Sequence, residues 1–206
     1  MKQETNFNLI QTCPFPRFIY SSSPDRGLDT LLYLFPFIRK EFPQATLHVL
    51  YGFNNWNLAI DQRNNEQEKK WRDQIMKDME QPGVYYYGRV DQDTVAKMYQ
   101  AADIWFYPTK FTETYCITAL EAQMARTVCV CTDLAALHTT VGDRGILLQG
   151  DAYTKEYREQ ALKEVFAILK DDKRRESLVE KAYQWARQQT WEARAKEWIQ
   201  IFGLQK

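Results

Sequence analysis

Phe18-Ile-Tyr-Ser-Ser-Ser-Pro-Asp-Arg-Gly27, running on into Leu28-Asp-Thr-Leu-Leu-Tyr-Leu-Phe-Pro-Phe-Ile-Arg-Lys-Glu-Phe42, decides the fold. A short apolar run halts at a Ser-Pro-Asp turn, which reads as a strand and its turn. Leu28, Leu31, Leu32, Phe35, Ile38 and Phe42 then fall at helical spacing until Pro43 closes the pattern. The same alternation continues downstream. Thr46-Leu-His-Val-Leu-Tyr51 reads as a second strand, ended by Gly52-Phe-Asn-Asn, and the charged stretch 66–81 reads as a helix with Trp71, Ile75 and Met79 along a narrow seam. Val84-Tyr-Tyr-Tyr-Gly88 is a third strand, and Asp91 is placed to cap a helix carrying Val95, Met98 and Tyr99. Ile104-Trp-Phe-Tyr-Pro108 is a fourth, followed by a loop at 108–112 and a helix through Ile117, Leu120 and Met124. Val128-Cys-Val-Cys131 and Gly145-Ile-Leu-Leu148 are the fifth and sixth, and 155–201 is helical with breaks near Asp171-Asp172 and Thr190.

Six short strands alternating with helices predict an α/β fold. It is a single Rossmann-like domain over 18–206, with a parallel sheet covered on both faces and a helical C-terminus. Residues 1–17, ending in Cys13-Pro-Phe-Pro-Arg17, read as an irregular lead-in.

Composition narrows the function. At 206 residues and 45% hydrophobic, the chain has apolar mass for one sizeable core. Lys+Arg and Asp+Glu are both 27, so the net charge is zero, which argues against nucleic acid or a membrane surface bound by bulk electrostatics. Cys13, Cys116, Cys129 and Cys131 show no CxxC spacing and read as reduced thiols in a cytoplasmic protein. No run approaches the roughly 18 apolar residues of a transmembrane helix, and the start has no apolar leader core.

In an open parallel sheet, ligands bind beyond the carboxyl ends of the strands, where helix N-termini present free amides. That directs attention to the loops 21–27, 52–57, 88–91 and 108–116. Neither G-x-G-x-x-G nor G-x-x-x-x-G-K-[ST] occurs, so a dinucleotide dehydrogenase and a P-loop NTPase are disfavoured. The first loop offers Ser21, Ser22, Ser23 and Arg26; hydroxyls and a guanidinium suit phosphate oxygens, and they equally suit a helix-capping turn with a surface arginine. In the fourth loop Glu113 stands just ahead of a helix and Glu121 about two turns further on. A carboxylate so placed accepts sugar or ribose hydroxyls, with the amides near Tyr115, Cys116 and Ile117 facing phosphate. The alternative is structural: Glu113 complements the helix dipole, and Thr118-x-x-Glu121 has capping-box spacing. Cys129, Cys131 and His48 have ordinary core spacing, and packing rather than metal is their expected role.

With these residues in place, the chain resembles the carboxy-terminal, sugar-nucleotide-binding half of retaining GT-B glycosyltransferases, the group that includes sucrose and glycogen synthases. The likeness runs from about Phe18 to Phe202. Its carriers are the 21–29 loop, Leu47-His-Val-Leu-Tyr-Gly52, Tyr87-Gly-Arg-Val90, Ala102-Asp-Ile-Trp-Phe-Tyr-Pro108, the Glu113–Glu121 pair (the family's E-x7-E), Gly142-Asp-Arg-Gly-Ile-Leu147 and Thr190-Trp-Glu192. The resemblance implies a catalytic, sugar-binding Glu113 and a ribose-binding Glu121. It implies phosphate contacts at Ser21, Ser22, Arg26 and the amides of Tyr115, Cys116 and Ile117, and base contacts from the backbone at Arg89 and Val90. It further implies a UDP- or GDP-sugar donor, no metal and no cofactor.

Three departures accompany it. Ser21 stands about where the family has a second basic residue, and Ala125-Arg-Thr-Val128 replaces a small Ala-x-Gly-x-Pro turn. The acceptor-binding half that precedes this domain in such enzymes does not fit into seventeen residues. The expected activity is therefore hexose transfer to an unknown glycan, lipid or protein acceptor. The alternative is a nucleotide-sugar-binding subunit that depends on a partner chain or on self-association.

Overall fold

Apolar runs of four or five residues bounded by turn formers become strands, and the amphipathic stretches between them become the helices that cover the sheet. The computed structural model describes residues 9–203. Its strands are β1 (Arg17–Tyr20), β2 (Thr46–Leu50), β3 (Val84–Gly88), β4 (Ile104–Tyr107), β5 (Val128–Thr132) and β6 (Ile146–Leu148). They form one sheet in the order β3-β2-β1-β4-β5-β6, with every neighbouring pair parallel. Every residue of β2, β4 and β5 is buried, whereas the edge strand β3 is half-buried throughout. Central strands covered on both faces are why the sequence shows continuous apolar runs rather than alternation.

The helices are α1 (Leu9–Thr12), α2 (Leu28–Glu41), α3 (Asn54–Arg63), α4 (Glu66–Asp78), α5 (Gln92–Ala101), α6 (Ile117–Met124), α7 (Leu137–Thr140), α8 (Lys155–Lys170), α9 (Asp172–Ala186) and α10 (Trp191–Ile201). All six strands fall within a residue of their sequence-read positions. Two segments differ. The lead-in holds a helical turn, α1, whose Ile10 is fully buried, and β1 begins at Arg17; residues 1–8 lie outside the described residues. The stretch read as a loop at 52–57 is largely α3, which ends at Asn64 in the left-handed conformation (φ 47°) before Asn65 caps α4 by accepting from the amides of Gln67 and Glu68. Its polar sequence carries little apolar periodicity, so packing over the β1 loop decides it: Trp56 Nε1 donates to Ser23 Oγ at 3.1 Å.

Helix α2 continues through Pro36, whose missing N–H would have reached the carbonyl of Leu32. Gln81 Nε2 donates to that carbonyl at 3.2 Å, so the orphaned acceptor is satisfied from outside the helix. Arg17 pins β1 to β4: its backbone N–H, Nε and Nη2 all donate to Asp103, at 2.8, 2.8 and 2.7 Å. The strand order reverses between β1 and β4, and this reversal opens a crevice at the carboxyl edge of the sheet.

Candidate functional site

The loop after β1 and the loop after β4 touch across that crevice. Gly27 adopts φ 110°, and a Cβ there would stand 2.3 Å from the carbonyl oxygen of Pro108. Only glycine tolerates both the backbone conformation and the approach. The contact delivers Arg26 to Glu113: Nη1 lies 3.2 Å from Oε1, with the carboxylate only 9% exposed. The guanidinium also stacks on Phe111, 3.7 Å from the ring centroid. Burial works against its charge, but Tyr107 and Glu113 more than offset this and hold it above its ordinary pKa. Tyr107, at the end of β4, donates to the same Oε1 at 2.7 Å, and burial keeps its phenol protonated well above the usual range. Glu113 Oε2 takes no hydrogen bond among the described residues.

The other end is a cleft of about 280 Å³ whose lining includes Ser21, Tyr51, Gly52, Arg89, Val90, Thr118 and Glu121. Loops that follow β1, β2 and β3 therefore converge on a carboxylate carried by α6. Glu121 is half-buried, burial alone raises its pKa, and it has no hydrogen-bond or ion-pair partner among the described residues. An acceptor-only group so desolvated is suited to paired hydroxyl donors.

Helix α6 links the two ends. Its N-cap, Cys116, sits in the left-handed conformation at φ 66°, and the amides of Cys116, Ile117 and Thr118 find no acceptor among the described residues. Leading amides of this kind are suited to an anion. Burial pushes the Cys116 thiol up to about 11, so it is neutral and no nucleophile. Tyr115 is held by its carbonyl, which accepts from Thr140 Oγ1 at 2.6 Å. Thr118 lies inside the helix rather than ahead of it, so the capping-box alternative for Glu121 does not hold.

The sequence-read phosphate group is divided by the structure. Arg26 keeps company with Glu113, but the Ser21 hydroxyl bonds to the buried Tyr99 hydroxyl and lines the Glu121 cleft instead. Ser22 is buried, its hydroxyl 3.4 Å from Tyr107. Sequence reasoning missed Tyr99 and Tyr107, because aromatic residues in helix or strand register read first as core, and Phe111, a loop residue whose stack on Arg26 only the fold creates. The turn at 125–128 keeps a glycine-like path: Arg126 adopts φ 66°, ion-pairs with Glu180 at 2.7 Å and stacks on Tyr183. His48, Cys129 and Cys131 are buried, His48 between Tyr87 and Thr46.

A six-stranded parallel sheet in this order, with its strand order reversing between β1 and β4, defines a Rossmann-like α/β class of domain. The chain matches the model of the family Glycosyl transferases group 1 over residues 15–185, and it belongs to that family. A comparison with curated proteins returned no match. Among solved structures it resembles the GtfA/B complex (TM-score 0.71, 16% identity, covering 90% of this chain and 35% of that one). It also resembles the pneumococcal O-GlcNAc transferase GtfA in complex with UDP and GlcNAc (0.67, 16%, 92% and 35%). A third is Anabaena Alr3699/HepE in complex with UDP and glucose (0.66, 17%, 88% and 46%). At these identities the likeness establishes the GT-B Rossmann-like fold, and the chain spans about a third to a half of the length of these structures. No described helix is long and apolar enough to cross a membrane.

Proposed function

We propose that this chain is the donor-binding domain of a retaining glycosyltransferase that moves a hexose from a nucleoside-diphosphate sugar to a glycan, lipid or protein acceptor in the cytoplasm. One observation carries the reading. The loops after β1 and β4 bring a guanidinium and a carboxylate together ahead of α6, whose first amides find no acceptor among the described residues, and α6 carries into the neighbouring cleft a half-buried carboxylate with no partner among them. In this reading the bond from sugar C1 to the diphosphate oxygen breaks, and Arg26 with the amides of Tyr115, Cys116 and Ile117 stabilises the charge that grows on the leaving group. The acceptor hydroxyl bonds to C1 and passes its proton to the departing phosphate. Glu113 orients the hexose, Glu121 the ribose, and backbone at Arg89 and Val90 meets the base. Neither metal nor cofactor is assigned a step.

A second reading, a donor-binding subunit completed by a partner that carries the acceptor half, is favoured by α10. Trp191, Trp198, Ile201 and Phe202 are all exposed along and just past that helix, and α10 itself buries no residue. Calorimetry with UDP, GDP and ADP, and then with their hexose derivatives, tests both readings. Glu113→Ala is expected to weaken sugar-nucleotide binding more than nucleotide binding. Transfer by the chain alone selects the first reading, and failure to bind any of the probes defeats both.

A further inference from the structure

We propose that Tyr107 is a positioning residue that decides which oxygen of Glu113 faces the donor sugar, an inference that rests on the donor-binding reading above. A carboxylate oxygen has two lone pairs, and on Glu113 Oε1 both are taken: Tyr107 Oη–H donates at 2.7 Å and Arg26 Nη1–H at 3.2 Å. Oε2 is thereby left as the acceptor for hexose hydroxyls. The phenol is a fixed post. Its ring stacks on Trp105 (centroids 4.9 Å apart), packs against Tyr20 (6.0 Å), and is fully buried. Without the hydroxyl, the carboxylate is free to turn and meet Arg26 with both oxygens, in the forked geometry arginine prefers. That turn commits Oε2 to Arg26. The hydroxyl thus keeps two functions apart, leaving the remaining guanidinium hydrogens for phosphate and Oε2 for sugar.

Two variants test this, each titrated with UDP and UDP-glucose and with GDP and GDP-mannose. Tyr107→Phe removes one oxygen and keeps the ring packing. Its nucleotide affinity is expected to stay within about twofold, while the affinity added by the hexose falls about tenfold, as for loss of one hydrogen bond to a charged group. Glu113→Gln decides independently, and alone if Tyr107→Phe does not fold. Two donors at the Oε1 position force the amide to present its carbonyl to them and its NH₂ to the crevice, so the gain from the hexose is expected to vanish. Equal losses for nucleotide and sugar nucleotide, or a hexose gain retained in either variant, overturn the positioning role. A wild-type chain that binds nucleotide but gains nothing from the hexose overturns it too, leaving nucleotide binding intact. A wild-type chain that binds none of the four probes removes the donor-binding reading itself.

Discussion

Arg26 and Glu113 are 87 positions apart in the chain and meet at 3.2 Å across the seam between β1 and β4. In the proposed reading the pair joins a phosphate ligand to a sugar ligand, and its geometry suits a planar cation, because the same guanidinium lies over Phe111. Lysine would keep the charge and lose both the planar stack and the paired N–H donors a guanidinium can offer a phosphate. Arg26→Lys is therefore expected to weaken UDP binding by about three- to tenfold, and Arg26→Ala by more, measured calorimetrically at low salt. Equal affinities for wild type and Arg26→Ala would detach the residue from the diphosphate.

Gly27 is what allows that meeting. Gly27→Ala pushes a Cβ to 2.3 Å from the backbone of Pro108, where no side chain can yield, and adds a positive-φ penalty. The expected cost is about 2–4 kcal/mol in denaturant unfolding, together with loss of nucleotide affinity as the two loops separate. Gly150→Ala is the control: φ is +95° but nothing lies within 4 Å, so about 1 kcal/mol is expected. Similar costs for the two would mean that the close approach is unimportant.

The strands and their order of appearance were legible because buried parallel strands must be apolar runs, and this chain writes them plainly from Phe18 to Leu148. Helix α3 was not, since Asn54 to Arg63 lacks an apolar stripe and is held by its neighbours. Around the crevice, charged residues in and next to loops stand out in a sequence, which is why Arg26, Glu113 and Glu121 could be singled out as candidates. Tyr107, which bonds to Glu113, and Tyr99, which bonds to Ser21, could not, because a strand-end or helix tyrosine looks the same whether its hydroxyl is idle or bonded to a candidate residue. Nor could spacing show that Ser21 and Arg26, five residues apart, face different ends of the crevice.

Glu121 gives a test aimed at the ribose. If its carboxylate receives the 2′- and 3′-hydroxyls, the wild type should prefer UDP over 2′-deoxy-UDP, and Glu121→Ala should bind the two alike. Burial raises the pKa of this side chain, so the preference is expected to fade on acidification at a pH above the ordinary glutamate range, as the acceptor takes a proton. A 2′-hydroxyl preference that survives Glu121→Ala rules out the contact.

Arg126 occupies a left-handed backbone position, φ 66°, that glycine adopts without cost. The exposed pair with Glu180 and the stack on Tyr183 set a side-chain benefit against that strain. Arg126→Ala loses the benefit and keeps the strain, whereas Arg126→Gly loses both. The glycine variant should therefore be the more stable of the two by about 1 kcal/mol in urea unfolding. An alanine variant as stable as the glycine one would show that the turn carries no strain.

His48 makes stability depend on acid. The ring lies between Tyr85 and Tyr87, with Nδ1 2.9 Å from Tyr87 Oη and Nε2 3.0 Å from Thr46 Oγ1, and Arg17 is the charge that acts on it. Burial, with a smaller contribution from Arg17, lowers its pKa from 6.5 to about 3. The unfolded chain therefore binds a proton at this residue between those two values and the folded chain does not. Stability from the neutral ring is complete above about pH 6.5 and drains away as pH falls toward 3, by at most ~1.4 kcal/mol per pH unit. Carboxylates titrate in the lower part of the same window, so the informative quantity is a difference in slope. His48→Gln cannot take up a proton, and its unfolding free energy should fall less steeply than that of the wild type between pH 6 and 4, even though it starts lower for want of the same hydrogen bonds. Parallel slopes in urea unfolding across that range would mean that His48 already shares its proton in the folded state, and that the seal around β2 and β3 is open to water.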